Sequence, residues 1–246
     1  MAVPSNKDNS KKGEVREMFD SIAVTYDFLN HFLSFGIDVR WRKKLIRKLK
    51  KYHPNHVVDI ATGTADLAIM AAKSGINRVT GLDLSENMIE VGNQKVLKNN
   101  LHDRIGLKQG DAEEIHFPDN YFDAAMVAFG VRNFENLEKG IQEINRVLKQ
   151  DSPFFILEFS TPDRFPVKQL YKFYSKSVLP FWGRIISKDK RAYSYLPESI
   201  AEFPYGKDFI AILNKCGFEK TYYYPLTFQI ATIYVGHKKG LPNNNS

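Results

Sequence analysis

The sequence has little of what extracellular and membrane-spanning proteins need. Among its 246 residues Cys216 is the one cysteine, which excludes an internal disulfide framework and suits a reducing compartment. The segment 1–14 lacks the apolar stretch of a secretory signal. No apolar run approaches the roughly 20 residues that a membrane-spanning helix needs. We therefore expect a globular, cytoplasmic protein that does not cross a bilayer.

Glycine is scarce where a nucleotide-binding loop would need it. The stretch HVVDIATGTADLAIM, residues 56–70, predicts a strand, a tight turn and the start of a helix, and its one glycine is Gly63. A dinucleotide loop needs further glycines, and Ala65 stands where a second is expected. No lysine is present to meet a phosphate, and Asp66 at the helix start would repel one. The turn therefore argues against a nicotinamide-dependent oxidoreductase, the main rival among enzyme classes.

Strands and helices alternate along the chain from residue 56 onward, after a long helical segment at 14–51. Stretches rich in β-branched and apolar residues predict strands, and amphipathic stretches predict helices. This alternation is typical of a parallel sheet covered on both faces, which binds ligands beyond the carboxyl ends of its strands. The predicted strands are 56–61, 78–84, 104–110, 121–130 and 153–160, and the predicted helices between them are 65–73, 85–97 and 137–148.

The C-terminal part departs from this alternation. Residues 206–216 predict a helix, and 218–227 and 228–239 predict a hairpin at one edge of the sheet. Residues 162–205 form an aromatic insert that we interpret as a helical lid. The predicted fold class is α/β: a Rossmann-like, doubly wound, mostly parallel sheet with an antiparallel C-terminal edge hairpin, a helical N-terminal extension and a helical lid insert. The predicted boundaries are a single domain at 14–240 and disordered tails at 1–13 and 241–246.

The ends of the predicted strands carry acidic residues at a distinctive spacing. Gly63 lets the backbone approach a ligand, and Asp83, 20 residues later, can grip ribose hydroxyls. Asp111 follows the third strand, where an adenine amino group can be met. Taken singly, Asp83 could be a capping acid and Asp111 a turn residue, but their joint spacing favours an adenosine pocket. S-adenosylmethionine fits because it has an adenosine, an amino acid and a sulfonium but no phosphate, and Asp66 suits its positive charge.

Other features narrow the chemistry of methyl transfer. Transfer from a sulfonium needs positioning rather than a metal, and no His, Cys or acidic cluster has metal-ligand spacing, so no metal is expected. The segment AFGVRNFEN, residues 128–136, lacks the Asn/Asp-Pro-Pro-aromatic pattern of enzymes that methylate amines on bases. Cys216 is not placed as a nucleophile for cytosine. No nucleic acid partner is therefore expected, although the net charge is +7.

Seven stretches together resemble one family. The chain from about residue 15 to residue 237 is similar to the demethylmenaquinone/ubiquinone-biosynthesis C-methyltransferases, a family of class I S-adenosylmethionine-dependent enzymes. The pairing of MFDSIAxxYDxLN with FGVRN is distinctive, whereas the cofactor turn is shared by many methyltransferases. The resemblance implies methylation of a ring carbon on a polyprenylated quinol. The stretches are MFDSIAVTYDFLNHFLSFGIDVRWRKKL, DIATGTADLA, LDLSENMIEVG, FPDNYFDAAMVAFGVRNFEN, EINRVLK, ILEFSTP and YSYLPESIAEFP.

The resemblance also assigns residues to the cofactor. The family has glycine where this chain has Ala65, so we expect a more crowded turn there. Many relatives carry serine where Ala128 stands, so no hydrogen bond to the cofactor is expected from that side chain. The residues that fall on the family's cofactor-contacting positions, beside Gly63 in the turn, are Thr64, Asp83, Asp111 and Ala112.

Methylation of a ring carbon requires a protein group that activates this carbon. The carbon becomes nucleophilic when the neighbouring hydroxyl loses its proton, so a base or a cation beside the phenolate is needed. Arg132, just past the fourth strand, is the candidate that stabilises this oxyanion or orients a water that takes the proton. Tyr26 is the candidate that hydrogen-bonds the quinol. The alternatives are a structural salt bridge for Arg132 and core packing for Tyr26.

Two basic stretches suit an enzyme whose polyprenyl quinol substrate lives in the bilayer. Residues 40–51 carry eight cations and no acid, and residues 164–191 carry eight cations against one acid. Lys168, Lys172 and Lys176 recur at helical spacing beside aromatic residues, as in helices that lie in the headgroup zone. We expect peripheral association with the inner face of the membrane; a solvated helix face is the alternative.

Several alternatives stay open at this level. The acceptor is a naphthoquinol or a benzoquinol, and demethylmenaquinol is preferred because no mitochondrial transit peptide is visible; a non-quinone small molecule is a further alternative. A nucleic-acid-binding module and an inactive cofactor-binding relative are the rivals from other classes. The sequence leaves the oligomeric state open, a homodimer included.

Overall fold

A seven-stranded sheet forms the centre of the molecule. The computed structural model describes residues 10–174, Ser177 and residues 191–240. Each strand coincides with a predicted one to within a few residues at its ends. The strands are β1 (His56–Ile60), β2 (Arg78–Asp83), β3 (Ile105–Gln109), β4 (Ala124–Ala128), β5 (Pro153–Phe159), β6 (Phe218–Leu226) and β7 (Ala231–Lys238).

Helices precede the sheet and connect its strands. The first one begins at Lys11, inside the segment 1–13 that the sequence predicts as disordered. Residues 1–9 and 241–246 of the predicted tails, and 175–176 and 178–190 of the predicted lid, lie outside the described residues. The helices are α1 (Lys11–Leu33), α2 (Ile37–Leu49), α3 (Asp66–Lys73), α4 (Glu86–Lys98), α5 (Leu137–Val147), α6 (Val167–Phe173), α7 (Arg191–Glu202) and α8 (Lys207–Lys215), with short 3-10 turns at Lys50–Tyr52 and Val131–Asn133.

The sheet topology creates a crevice beside the first strand. The strand order is β3-β2-β1-β4-β5-β7-β6. β1 pairs in parallel with β2 on one side and with β4 on the other, so Val58 lies beside both Thr80 and Ala125. Because the winding reverses between β1 and β4, their carboxyl ends border the crevice in which such sheets bind ligands. β7 lies antiparallel between β5 and β6, which confirms the predicted edge hairpin and the doubly wound sheet.

The central strands are buried on both faces, which explains why their sequences are largely apolar. In β1, Val57 belongs to the hydrophobic cluster on one face of the sheet and Val58 to the cluster on the other. Leu45 of α2 is buried on the first face, and Ile141 of α5 and Phe209 of α8 are buried on the second. Helices thus cover both faces of the sheet. The crevice lies at a different side of the sheet, the one formed by the carboxyl ends of the parallel strands.

Helix α1 covers part of the crevice at the carboxyl ends of the strands. Ile22 and Ala23 of α1 are buried against Met88 of α4, so the N-terminal helix packs on the helix that follows β2. The predicted N-terminal extension is therefore a wall of the crevice. Among the helices that the structure describes, none has the length and apolar character needed to cross a membrane.

Candidate active site

The turn between β1 and α3 is built from alternating left-handed residues. Ala61, Gly63 and Ala65 have φ values of 50°, 55° and 67°, so the turn is compact and presents its backbone to the crevice. Alanine rarely adopts this conformation. Ala65 is wholly buried, and a Cβ on Gly92 of α4 would lie 3.4 Å from its methyl group. The methyl group thus packs towards α4, within contact distance of position 92.

Asp83, the last residue of β2, joins two turns of the site. Its Oδ2 accepts a hydrogen bond from the Gly63 amide at 2.7 Å, and its Oδ1 accepts one from the Ser85 amide at 2.9 Å. Burial raises the pKa of Asp83 to about 6, although these amides favour its charged form. Each oxygen keeps a lone pair for a hydroxyl donor. The side chain therefore fits the role of ribose ligand that the sequence predicts.

Asp59 lies beneath the same turn. It is 1% exposed, and its Oδ2 accepts a hydrogen bond from Thr62 Oγ1 at 2.7 Å. Burial raises the pKa of this carboxyl to about 7, and the hydrogen bond from Thr62 opposes that change. Asp59 thus holds the turn from below and titrates close to neutrality.

The end of β3 places Asp111 against the N-terminal helix. Asp111 Oδ1 accepts a hydrogen bond from the Glu113 amide at 2.9 Å, and Oδ2 accepts one from Lys12 Nζ at 2.5 Å. Lys12 also lies 3.5 Å from Glu113 Oε2. Ala112 is partly buried and lines the crevice between them. A cation from α1 therefore lies beside the residue expected to meet adenine.

We call the crevice enclosed by these elements the cofactor cleft. Four of the five residues predicted to bind the cofactor line it: Gly63, Asp83, Asp111 and Ala112. Its further lining residues are Lys12, Val15, Arg16, Phe19, Tyr26, Ala61, Leu84, Ser85, Met88, Gly110, Glu113, Ala128, Phe129, Gly130, Asn133, Phe134 and Glu135.

Thr64, the fifth of these residues, lies in a small pocket that adjoins the cleft. Its hydroxyl donates to Asp27 Oδ1, and Lys95 Nζ lies 3.1 Å from the same hydroxyl. Lys95 also pairs with Asp66, and Arg42 lies 3.9 Å from the other oxygen of Asp66. The sequence predicts Asp66 as a partner for a positive ligand, but the structure shows it engaged by two cations of the protein.

Tyr26 of α1 lines both the cofactor cleft and the adjoining pocket. Its Cε1 would lie 3.8 Å from a Cβ built on Gly63, so the ring covers the turn. The ring also packs edge-on against Phe19, with ring centroids 5.8 Å apart. Tyr26 thus has the packing contacts foreseen as its alternative role, and it also faces the cleft.

Arg132 lies in the 3-10 turn after β4 and forms a buried ion pair. Its Nη1 donates to Glu158 Oε1 at 2.7 Å, and the backbone carbonyl of Phe129 is a second acceptor. The Arg132 side chain is 6% exposed and that of Glu158 is wholly buried. Within the part of the chain that the structure describes, Arg132 Nε is buried and has no hydrogen-bond acceptor. The salt bridge named as the alternative role is present, and Nε is a buried donor that another group could engage.

Beside this ion pair lies a second, apolar cavity of about 410 Å³. Tyr171 lines it, and burial raises the pKa of this phenol to about 12, while the nearby Arg132 charge opposes the change. Tyr195 hydrogen-bonds Asn133 Oδ1 at 3.1 Å. The lining residues of this apolar cavity are Ser34, Phe35, Ile37, Trp41, Phe159, Val167, Leu170, Tyr171, Tyr174, Leu196, Ile200, Thr227, Phe228 and Ile230.

Two stacked rings separate the cofactor cleft from the apolar cavity. Phe129 lines the cleft, Phe159 lines the cavity, and their ring centroids are 4.4 Å apart. The Arg132 guanidinium carbon lies 5.4 Å from the centroid of the Phe159 ring. Phe129 has a φ of 62°, a backbone conformation that bulky residues adopt at a cost. The cofactor cleft and the apolar cavity therefore adjoin at this pair of rings.

Three charged residues of this region are absent from the residues predicted from the sequence. Glu158 is an acid inside the apolar stretch ILEFS. Because a buried acid usually pairs with a cation, this pattern in the sequence indicates a buried ion pair. Arg42 is 5% exposed and pairs with Asp38, although it was counted among the surface cations. Lys12 fell in the predicted tail, where no local pattern points to Asp111.

The overall fold is shared with methyltransferases of known structure. The SAM-dependent methyltransferase of Thermotoga maritima superimposes with a TM-score of 0.60 at 18% sequence identity, over 89% of this chain and 100% of that one. At this identity the likeness concerns the fold alone. The fold class is that of the Rossmann-like methyltransferases.

Sequence comparison gives the family. The model of the ubiE/COQ5 methyltransferase family matches residues 6–238. A demethylmenaquinone methyltransferase of Bacteroides fragilis is 46% identical over 96% of both chains. A ubiquinone/menaquinone biosynthesis C-methyltransferase of Geotalea daltonii is 45% identical over 93% of this chain and 98% of its own length. The chain belongs to the ubiE/COQ5 methyltransferase family, which confirms the resemblance seen in its motifs.

Proposed function

We propose that this chain transfers the methyl group of S-adenosylmethionine to a ring carbon of a polyprenylated quinol, with demethylmenaquinol as the preferred acceptor. The observation that carries the proposal is the contact between the cofactor cleft and the apolar cavity at Phe129 and Phe159. An acceptor with a hydrocarbon tail fits the cavity, and an adenosine-bearing donor fits the cleft. The 46% identity to a protein named demethylmenaquinone methyltransferase supports the choice of quinol.

The residues of the cleft suit the donor. Asp83 would accept both ribose hydroxyls, and Asp111 with the Ala112 amide would meet the adenine edge. Gly63 and Thr64 would lie along the methionine part, in and beside the adjoining pocket. The absence of lysine in the turn between β1 and α3 agrees with a ligand that carries no phosphate.

Arg42 adds a charge to this assignment. Its guanidinium lines the adjoining pocket, is 5% exposed and lies between Asp38 and Asp66. Because these two carboxylates already balance its charge, Arg42 is assigned to holding the wall of the pocket that would receive the methionine part.

Arg132 is assigned to the acceptor. When bound, S-adenosylmethionine supplies an electrophilic methyl group on its sulfonium. Arg132 Nε is a buried donor without an acceptor among the described residues, a situation that costs about 1–3 kcal/mol. A quinol oxyanion at this donor would satisfy it, and the charge would favour loss of the hydroxyl proton to water. The activated ring carbon would take the methyl group as the bond from that methyl to sulfur breaks, with S-adenosylhomocysteine as the leaving group. The ring carbon would then release its own proton to water, which restores the aromatic ring.

Tyr26 lines the two chambers assigned to the donor, and we assign it to a contact with the quinol ring from the donor side. Its ring covers Gly63 and lines both the cofactor cleft and the adjoining pocket. From there its hydroxyl can donate to an oxygen of the quinol ring. This role adds to the packing against Phe19 and does not replace it.

The enzyme is proposed to work at the inner surface of the membrane, where a polyprenyl quinol is found. Leu170 and Phe173 of α6 are each 65% exposed, next to the exposed Lys168 and Lys172. Exposed hydrocarbon beside cations is the pattern of helices that lie among lipid headgroups. Lys176 of the predicted pattern lies outside the described residues. The exposed cations of the first basic stretch are Arg40, Lys43, Lys44, Arg47, Lys50 and Lys51.

Flotation with vesicles tests the membrane step. We expect the protein to float with anionic vesicles at low salt and to be released at high salt, because each Lys or Arg near an anionic surface contributes ~1 kcal/mol and salt screens it. The control is a vesicle of neutral lipid, to which binding should be weak. No association with anionic vesicles at low salt contradicts peripheral binding.

A competition assay tests the reaction and its acceptor. The protein is incubated with S-adenosylmethionine carrying a labelled methyl group and an equal mixture of demethylmenaquinol and the corresponding benzoquinol, followed by mass analysis. We expect label in the naphthoquinol at several times the rate of the benzoquinol. Label in the benzoquinol alone would assign the enzyme to ubiquinone biosynthesis. Label in neither, with the cofactor bound, would point to a different small-molecule acceptor.

A further inference from the structure

The apolar cavity has a chemical end and a solvent end. At the inner end Phe159 lines the cavity, stacks on Phe129 of the cofactor cleft and lies 5.4 Å, measured from its ring centroid, from the guanidinium carbon of Arg132. At the outer end the cavity is lined by Phe35 and Phe228, which are 84% and 77% exposed. A ligand that fills the cavity would thus have a polar head at Arg132 and a hydrocarbon part that reaches solvent between these two rings.

Both exposed rings stand on turns with unusual backbone geometry. Phe35 has a φ of 51°, and the successive residues Thr227, Phe228 and Gln229 have φ values of 44°, 54° and 72°. Three consecutive left-handed residues without a glycine are costly, since the β-carbon crowds the following carbonyl. Such geometry persists only where the surrounding structure holds it, and it is concentrated at functional sites.

The turn that carries Phe228 is anchored from two sides. Trp41 Nε1 of α2 donates to Thr227 Oγ1 at 2.8 Å. Ser160, directly after β5, donates its hydroxyl to the Gln229 carbonyl at 2.6 Å. The exposed ring therefore stands on a fixed support, and its exposure is a property of the fold.

The surroundings of this opening combine hydrocarbon with positive charge. Phe165 is 81% exposed, and Leu170 and Phe173 of α6 are each 65% exposed. Lys168 and Lys172 of the same helix are exposed as well. Contiguous exposed hydrocarbon marks an interaction site, and the cations beside it are complementary to anionic headgroups. The partner of matching chemistry is a lipid surface.

We propose that the apolar cavity binds the polyprenyl tail of the acceptor, and that Phe35 and Phe228 form the mouth through which the tail passes into the hydrocarbon of the bilayer. This inference rests on the proposed function and adds to it the path of the tail. The two rings enter the lipid themselves, so the tail never crosses water between the membrane and the cavity. The acceptor is thereby methylated while its far end stays in the bilayer.

Fluorescence tests the mouth without any methylation. An environment-sensitive dye is attached to Phe35→Cys, to Phe228→Cys or, as the control, to Val24→Cys, where an exposed apolar residue of α1 lies outside the cavity lining. Cys216 is 5% exposed, so the dye reports on the added cysteine. Anionic vesicles should shift the emission to the blue at positions 35 and 228 and leave position 24 unchanged. No shift at 35 and 228, or a shift that depends on protein concentration without vesicles, overturns the proposal.

Kinetics test the path of the tail. The measured quantity is the ratio of kcat/KM for a long-tailed quinol in vesicles to kcat/KM for the same ring without a tail. For the double variant Phe35→Ser, Phe228→Ser we expect this ratio to fall at least about tenfold, since the tail loses apolar contacts. Val24→Ser should leave the ratio within about twofold of the unsubstituted protein. An unchanged ratio, with both substrates slowed alike or neither slowed, overturns the proposal.

The two proposals fail in different ways. If the unsubstituted protein methylates neither the long-tailed quinol nor the tail-free ring, the proposed function is wrong. The fluorescence experiment still reports whether the mouth enters lipid. If both quinols are methylated and the ratio is insensitive to both rings, the function stands and the path of the tail is wrong.

Discussion

Arg132 and Glu158 form a buried ion pair, with Nη1 and Oε1 2.7 Å apart, and the Arg132 guanidinium lies beside Phe159 of the apolar cavity. The pair links the turn after β4 to β5, and Glu158 also accepts hydrogen bonds from the amides of Arg132 and Phe159. The carboxylate therefore fixes the arginine in place. Nε, a buried donor without an acceptor among the described residues, is the group through which Arg132 is proposed to act on a ligand.

Replacement of Arg132 tests its assignment to the oxyanion. Arg132→Lys keeps the charge beside Glu158 but loses the Nε donor, so kcat should fall about 100-fold while the dissociation constant of S-adenosylmethionine stays within about threefold. Turnover is measured with demethylmenaquinol and binding by calorimetry. Full turnover of this variant would contradict the assignment.

Arg132→Ala is a poorer probe, because it leaves the Glu158 carboxylate buried without a partner. Loss of one partner of a buried ion pair costs about 3–5 kcal/mol of folding free energy. The matched control is the double variant Arg132→Met, Glu158→Gln, in which no unpaired charge remains. We expect it to fold and to bind the cofactor but to be inactive, so that loss of activity is separated from loss of the fold.

Cofactor binding should depend on pH through Asp83. Burial raises the pKa of this carboxyl to about 6, and the ribose hydroxyls need its charged form as acceptor. Affinity should therefore be full above pH 7 and fall about tenfold for each pH unit below about 6. Calorimetry between pH 5 and pH 8 measures this. Asp83→Asn should bind weakly at every pH, and a wild-type affinity that is flat across this range would contradict the ribose assignment.

Asp59 should make folding stability depend on pH with the opposite sign to an ordinary carboxyl. Its pKa is raised to about 7 in the folded protein, so the folded state holds a proton that the unfolded chain has lost. The stabilisation is complete below the unfolded pKa of about 4 and is lost as the pH rises through about 7. Asp59→Asn should therefore be more stable than the unsubstituted protein at pH 8, by on the order of 2 kcal/mol.

Urea titrations at pH 8 and pH 5 measure this difference. It should shrink at pH 5, where Asp59 of the unsubstituted protein is protonated. An Asn variant that is less stable at pH 8 than the unsubstituted protein would show that the charged carboxylate supports the turn instead.

Two glycines test the close packing at the crevice. A Cβ on Gly130 would lie 2.5 Å from Ala61 Cβ, so Gly130→Ala forces apart the turns after β1 and β4. We expect a loss of about 1–3 kcal/mol in folding free energy and a weaker affinity for the cofactor. Gly106→Ala is the matched control, because nothing lies within 4 Å of the added carbon. Equal effects of the two substitutions would contradict the packing described here.

The order of strands and helices could be predicted because each is a local pattern. Three of the four residues that follow His56 in β1 are apolar, and Ser85 caps α4 by accepting a hydrogen bond from the Met88 amide at 3.1 Å. The position of Asp83 also follows from local sequence. Asp83 ends the second strand, and in a doubly wound sheet the carboxyl end of that strand lies beside the turn that follows the first strand.

The pairings that complete the site are not local. Lys12 and Asp111 are separated by 99 residues, and Arg132 and Glu158 by 26. No periodicity in the sequence relates such residues, since their contact depends on how α1 and β5 are placed. The apolar cavity is even harder to predict from local sequence, because its lining residues come from both the N-terminal and the C-terminal parts of the chain.

The position of the transferred methyl group is the most direct test of the account. The protein is supplied with S-adenosylmethionine carrying a deuterated methyl group and with demethylmenaquinol, and the product is examined by NMR and mass spectrometry. We expect one deuterated methyl group on a ring carbon next to a hydroxyl-bearing carbon, with no label on oxygen. A product labelled on oxygen, or no product from protein that binds both ligands, would contradict the proposed reaction.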